Sequence, residues 1–236
     1  YWMGGYASRK RPSEGTYQDL FAKAIAIDDA DGSRIVIVTL DLLVVTKDLA
    51  DSVSQRVEQQ YGLPRARLLL NCSHTHCGPE IRLYRESLNN IPRVYEKKRH
   101  QYGKTLEDSL VNIIGKAIDN RRPAKLMISQ ASATFAVNRR NNREQNVPEL
   151  RKKRKLEGPV DHDVPVMNFT DADGTTIAIL FGYACHNTVL SFHETSGDYA
   201  GFAQQFIEEE HPEAQAMFVM GAGGDQNPLP RRRVEY

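Results

Sequence analysis

The run Ile35-Val36-Ile37-Val38-Thr39-Leu40 constrains this chain more than any other feature. It is β-branched and almost without polar atoms, so it has no face to offer to water. A strand of that kind has to be covered on both sides, as the central strand of a layered sheet is. Arg67 to Asn71 reads as a second buried strand. Between the two, Lys47 to Tyr61 reads as a helix, with Leu49, Val53 and Val57 recurring at four-residue spacing and Gly62 followed by Pro64 as its stop.

The same reasoning extends along the chain. Leu20 to Ile27 reads as a strand closed by the turn Asp28-Asp29-Ala30-Asp31-Gly32. Tyr95 to Asn120 reads as a long helix with Tyr102, Leu106, Leu110, Ile113, Ile114 and Ala117 on one face. Ala124 to Ala136 is a strand region, and Asn138 to Pro159 is a polar, basic and irregular excursion. Val164 to Phe169 and Thr176 to Ala184 flank Asp171-Ala172-Asp173-Gly174 as a hairpin. Asp198 is expected to N-cap a helix reaching about Glu210 with Phe202, Phe206 and Ile207 inward, and Gln215 to Met220 is the last strand. Buried strands interleaved with helices specify an α/β class, a layered mixed β-sheet flanked by helices. The expected organisation is one catalytic-type α/β domain over residues 1–236, cut short at its C-terminal end.

Composition removes several function classes. With 40% hydrophobic and 26% charged residues the chain is ordinary globular material, and a net charge of +1 supplies no global field to recruit nucleic acid or an anionic membrane. No apolar run approaches the roughly 20 residues of a membrane span. Three cysteines, Cys72, Cys77 and Cys185, are too few and too odd in number for a disulfide framework. The opening Tyr1-Trp2-Met3 and the basic end Arg231-Arg232-Arg233-Val234-Glu235-Tyr236 suggest a fragment of a longer protein.

The unusual polar residues share one kind of place. Asp41, His74, His76, His186 and Asp225 each fall just past the C-terminal end of an expected strand, the edge at which open α/β sheets bind ligands. In extended backbone the imidazoles of His74-Thr75-His76 project to one side and can face one ion or one substrate; two hydrogen-bonded loop histidines fit the motif as well. His186, in Ala184-Cys185-His186-Asn187-Thr188, adds a third histidine behind another apolar strand. Gly221-Ala222-Gly223-Gly224-Asp225 is either a tight turn or a place where backbone N–H groups approach an anion. Asn227 is placed to orient a substrate amide or carbonyl. Arg139, in Asn138-Arg139-Arg140, can bind an oxyanion or a carboxylate, although a solvated loop is the better reading of that segment alone. The run Arg151-Lys152-Lys153-Arg154-Lys155 lacks aromatic interleaving and reads as a solvated loop rather than a nucleic-acid contact. Cys72, His74, His76 and Cys77 are too crowded to wrap one tetrahedral zinc.

Six ordered stretches together resemble the neutral/alkaline (non-lysosomal) ceramidase family, in its bacterial ceramidase-like branch. They are Leu69 to Pro79 around Ser73-His74-Thr75-His76, Val137-Asn138-Arg139-Arg140, Gly158-Pro159-Val160-Asp161, Tyr183 to Leu190 around His186, Ser196 to Gly201, and Gly223-Gly224-Asp225-Gln226-Asn227-Pro228. The resemblance implies a zinc-dependent amidohydrolase acting on a small-molecule amide, a lipid amide among the candidates, with no nucleic-acid partner. It implies Zn2+ held by His74 and His186, with His76 beside the metal-bound water and substrate and Arg139 in the substrate pocket. Asp41, Asp198 and Asp225 are then candidates to buttress the histidines. The family's remaining ligands, a glutamate and a tyrosine, are expected beyond residue 236, and its Gly-Asp-x-Ser-Pro-Asn turn carries a serine where this chain has Asn227. The resemblance also favours a secreted or periplasmic location. The competing reading is a catalytically incomplete ceramidase-like module that binds a small molecule or lipid.

Overall fold

The computed structural model describes residues 1–82, 91–229 and 231. The chain divides into two compact units: Tyr1–Pro123 with Phe192–Gly197, and Ala124–Ser191 with Asp198–Tyr236. Of the basic end read from the sequence, only Arg231 lies within the described residues.

The first unit contains β1 (Gly15–Thr16), β2 (Ala22–Asp28), β3 (Arg34–Leu40), α1 (Lys47–Tyr61), β4 (Leu68–Cys72) and α2 (Val94–Asp119). The β-branched run is β3, the middle strand of a three-stranded sheet, antiparallel to β2 and parallel to β4. Val36, Val38, Val53, Val57, Leu110 and Ile114 form the heart of its core, each of them completely or almost completely buried. The stop read for α1 operates as expected: Gly62, at φ +64, caps the helix with its own N–H on the Glu58 carbonyl. The start is set by a residue the sequence reading did not single out, Thr46, whose hydroxyl accepts the Leu49 N–H at 3.3 Å. Within the same unit β1 pairs in parallel with β9 (Glu194–Thr195), so a segment nearly 180 residues downstream (|i−j| = 179 for Thr16 and Thr195) is stitched to the chain's beginning.

The second unit holds a four-stranded sheet. Its strands are β5 (Lys125–Ser132), β7 (Asp163–Thr170), β8 (Thr176–Tyr183) and β10 (Gln215–Met220), in the order β10-β8-β7-β5. β7 and β8 are the expected hairpin; the Asp171 carboxylate takes the N–H groups of Asp173 and Thr175, and Gly174 supplies the positive φ. A shorter antiparallel pair joins β6 (Ala136–Asn138) to β11 (Gln226–Pro228). The mixed α/β class is as read, but the strands sort into two principal sheets, not one.

Three local expectations are corrected. The segment 124–136 is interrupted, because Ala136 and Val137 leave β5's sheet to pair with β11. The excursion 138–159 is ordered: a 3-10 turn, Glu144–Asn146, leads into α3 (Val147–Lys152). Buried Asn142 staples it, donating to the carbonyls of Asn138 and Glu157 and accepting the Glu157 N–H. Finally, α4 (Asp198–Glu210) turns Ala200, Gly201 and Gln204 inward, while Phe206 is 58% exposed and neither Phe202 nor Ile207 is buried. Small residues let that helix lie close to β10, which pushes the phenylalanines to its flank. Arg151 to Lys155 is exposed, as read, with Lys153 paired to Glu149 at 3.8 Å. Among the described residues no helix is long and apolar enough to cross a membrane.

Candidate metal centre

In the first unit β4 delivers Ser73-His74-Thr75-His76 to the end of the sheet, where the Ser73 N–H is held by the Leu40 carbonyl at 2.8 Å. The two histidines meet, with ring centroids 5.0 Å apart, but not by the extended-strand route. His74 sits at φ +59, a left-handed conformation that costs a non-glycine residue on the order of 1 kcal/mol. The kink points Nδ1 at the Leu43 carbonyl, 2.7 Å away. With Nδ1 carrying the proton for that bond, Nε2 keeps its lone pair, the arrangement a metal-ligating histidine needs.

His76, 9% exposed, is enclosed by the chain's first residues. The Tyr6 ring stands edge-on to its imidazole at 4.7 Å. Gly5, at φ +93, lies so close that a Cβ there would collide with the His76 ring. Arg9 is the anchor. Its guanidinium donates to the carbonyls of Gly4, His76 and Phe192, contacts the Cys77 sulfur and covers the Tyr6 ring at 4.8 Å. Thr75 adds a second tie, donating to the Ser196 carbonyl at 2.8 Å. Sequence reasoning misses this segment; the adjacent glycines Gly4-Gly5 ahead of Arg9 are the signal that could have found it.

In the second unit β8 ends at Tyr183, and buried Cys185 and then His186 follow. The His186 Nδ1 lies 2.7 Å from the Gly223 carbonyl, and its N–H donates to the Gln226 carbonyl at 2.9 Å. Here too the Nδ1 proton goes to a carbonyl, so Nε2 keeps its lone pair. A Cβ on Gly223 would meet the Cys185 nitrogen at 2.5 Å, and one on Gly221 would meet Ala184 at 3.3 Å. Gly221 and Gly223 therefore bring one backbone against another behind His186, which fits the tight-turn reading of this segment.

Two of the aspartates expected behind the histidines hold backbone and one holds a side chain. Asp41 accepts the Phe21 N–H at 3.0 Å, and Asp225 accepts from the Asn138 side-chain Nδ2 at 3.4 Å. Asp198, fully buried at φ +56, accepts the N–H groups of Val189, Leu190 and Tyr199 and so shapes the loop after His186. The start of α4 is instead tied by Asn187, whose side chain accepts the Ala200 N–H at 3.3 Å. Burial outweighs Asp198's three donors and pushes its carboxyl up to about 6. Burial likewise raises the thiols of Cys72 and Cys185, so both stay protonated at neutral pH.

Arg139 and Asn227 come together within the second unit. β6 and β11 pair Val137 with Asn227, and the Arg139 N–H donates to the Asp225 carbonyl at 2.8 Å. Both residues line a cavity of about 510 Å³ whose wall also includes Asn138, Asn142, Glu144 and Arg231. The candidate metal ligands among the described residues are three histidines, His74 and His76 of the first unit and His186 of the second.

Residues 1–225 match the family described as neutral/alkaline non-lysosomal ceramidase, N-terminal. Neutral ceramidase 1 of Arabidopsis thaliana is 25% identical over 235 residues, 98% of this chain and 30% of that protein. Neutral ceramidase A of Dictyostelium discoideum is 27% identical over 224 residues, 91% of this chain and 30% of its own length. The crystal structure of neutral ceramidase from Pseudomonas aeruginosa shares the fold, with a TM-score of 0.78 at 23% identity, over 96% of this chain and 36% of that one. The chain thus spans about 30% of the length of the Arabidopsis and Dictyostelium relatives. By its family match it belongs to the neutral/alkaline non-lysosomal ceramidases, to whose N-terminal region it corresponds.

Proposed function

We infer that the protein is a zinc-dependent hydrolase of an amide bond in a small molecule, lipid amides included. The observation that carries this reading is the matched preparation of His74 and His186, each with Nδ1 on a backbone carbonyl at 2.7 Å and Nε2 left with its lone pair. That pair of nitrogens fits two positions of a tetrahedral zinc ion. When bound, such an ion makes water a nucleophile near neutral pH and polarises a carbonyl.

The chain's own residues divide the remaining tasks. His74 and His186 hold the ion. His76, fixed by Tyr6, Gly5 and Arg9, moves the proton that leaves water and reaches the departing nitrogen. Arg139 binds substrate at an oxygen. In the overall hydrolysis the carbonyl C–N bond breaks, a C–O bond forms, and water supplies both the oxygen and the proton taken up by the amine.

The test is metal analysis of purified protein beside amide hydrolysis. About one equivalent of zinc is expected, with loss of stability and of hydrolysis on chelation, and loss of the metal in His74→Ala and His186→Ala. Protein that takes up no zinc and gains no thermal stability from it removes the hydrolase reading and leaves the binding module.

A further inference from the structure

We propose that the basic turn at the end of α3, Arg151 to Lys155 with Leu156 and Val160 following it, docks the protein on an anionic lipid bilayer. The proposal stands apart from the metal centre and does not need the hydrolase reading.

Charge carries the first part of the argument. Arg151-Lys152-Lys153-Arg154-Lys155 holds five of the chain's 31 basic residues, and the remaining 26 face 30 acidic ones. The run therefore reverses the sign of the chain around it. All five residues are exposed. Lys153 pairs with Glu149 at 3.8 Å, a solvent-exposed contact that contributes little, and the other four have no ion pair among the described residues. A helix C-terminus favours cations in its last turn, which accounts for Arg151 and Lys152. It does not account for Arg154 and Lys155, which lie past it.

The backbone under these cations is fixed. The Lys155 N–H donates to the Leu150 carbonyl at 2.8 Å and the Arg154 N–H to the Arg151 carbonyl at 3.0 Å, a helix closure that usually has glycine at its left-handed position. Here that position is an arginine, Arg154 at φ +55. Beyond it, Asn142 holds Glu157 by both N–H and carbonyl. Like charges fixed side by side repel one another, and a surface of opposite charge relieves that repulsion without having to order the chain first.

Two aliphatic side chains decide which kind of anionic surface fits. Leu156 is 37% exposed and Val160 is 40% exposed. Val160 sits between pinned neighbours: the Pro159 carbonyl takes the Asn138 amide at 2.9 Å, and the Asp161 N–H donates to the Gln226 side chain at 2.9 Å. Aliphatic groups beside cations suit the boundary between lipid headgroups and acyl chains. They offer no ring for a base to stack on, and the run itself contains no aromatic residue, so a nucleic acid would find charge alone.

The experiment is cosedimentation with vesicles free of amide lipids, so that the proposed hydrolase has no substrate in them. Vesicles of phosphatidylcholine with about 30% phosphatidylserine should bind the chain roughly a hundredfold more tightly at low salt than phosphatidylcholine alone. Raising the salt to about 0.5 M should remove most of that difference. Arg151→Ser, Lys152→Ser, Arg154→Asn and Lys155→Ser together should remove it at low salt, with Lys153 left on Glu149 and asparagine suited to the positive φ. Leu156→Trp keeps every cation, and the chain's own Trp2 is buried, so quenching of the new emission by brominated lipid reports contact at the turn. Equal binding to both vesicles, no binding, or anionic binding retained by the quadruple variant overturns the proposal. A Leu156→Trp protein that binds unquenched overturns it too, and that readout decides even if the quadruple variant does not fold. Tighter binding to a single-stranded oligonucleotide than to the anionic vesicles would assign the run to nucleic acid and overturn the membrane reading.

Discussion

His76 and His186 are held by opposite means. The first is gripped by two side chains from a distant part of the sequence, the Arg9 guanidinium on its carbonyl and the Tyr6 ring on its imidazole. The second rests on bare backbone, the carbonyls of Gly223 and Gln226, brought close because glycine leaves room. The Arg9 clamp fails when an atom is removed, whereas the glycine cradle behind His186 fails when one is added. Substitutions that add or delete atoms can therefore tell the two supports apart.

The largest effect is expected from adding bulk to the cradle. Gly223→Val forces a Cβ toward the Cys185 nitrogen, at 2.5 Å in the unrelaxed backbone, and should cost about 4 kcal/mol in urea unfolding, at the upper end of overpacking penalties. Deleting the clamp comes next. Arg9→Met leaves the carbonyls of Gly4, His76 and Phe192 without their charged donor and should cost about 3 kcal/mol. Arg9→Lys should recover part of that, because an ammonium reaches fewer of the three. If Arg9→Met proves neutral, the clamp is not what holds His76.

The loop after His186 supplies a pH test of similar size. Burial raises the Asp198 carboxyl from its ordinary 3.8 to about 6, so the folded state binds its proton more tightly than the unfolded chain does. The stabilisation this gives is complete below about pH 4 and is lost as pH rises to about 6. Its full span is about 3 kcal/mol at roughly 1.36 kcal/mol per pH unit. Asp198→Asn should remove that slope from the stability-pH profile, and an unchanged slope would show that the carboxyl is not buried as described. The smallest effect should come from Gly5→Ala, at about 2 kcal/mol, since positive φ and the approach to the His76 ring both resist a Cβ, yet the terminal segment has some room to shift. Its NMR signature should be a changed His76 ring environment with His186 unmoved, which would keep the two supports separate.

Local signals make much of the fold legible in the amino-acid sequence. α1 announces itself by Leu49, Val53 and Val57 one turn apart and by Gly62, all within one short stretch. The β7–β8 hairpin is likewise written in its Asp-x-Asp-Gly turn. Both depend on neighbours a few residues away. The exposed Phe206 escapes such a reading because α4's inward face is chosen by what packs on it, and small residues there win over large apolar ones. The excursion 138–159 escapes it because its order comes from buried amides, which look the same in sequence as solvated ones.

By itself the sequence determined the element types, the family, and the positions of His74, His76 and His186 just past apolar strands. The element types and positions follow from side-chain periodicity and local backbone preference, and the family follows from six motifs in a fixed order. Tertiary structure alone decided that the strands form two principal sheets and that His74 takes a left-handed kink to reach Leu43, 31 residues away. It also decided that His186 leans on Gly223, 37 residues on, and that Arg9 reaches Phe192 across 183 residues of chain. A hydrogen bond closed over such a distance is set by where the fold delivers a carbonyl, and no spacing in the sequence encodes that.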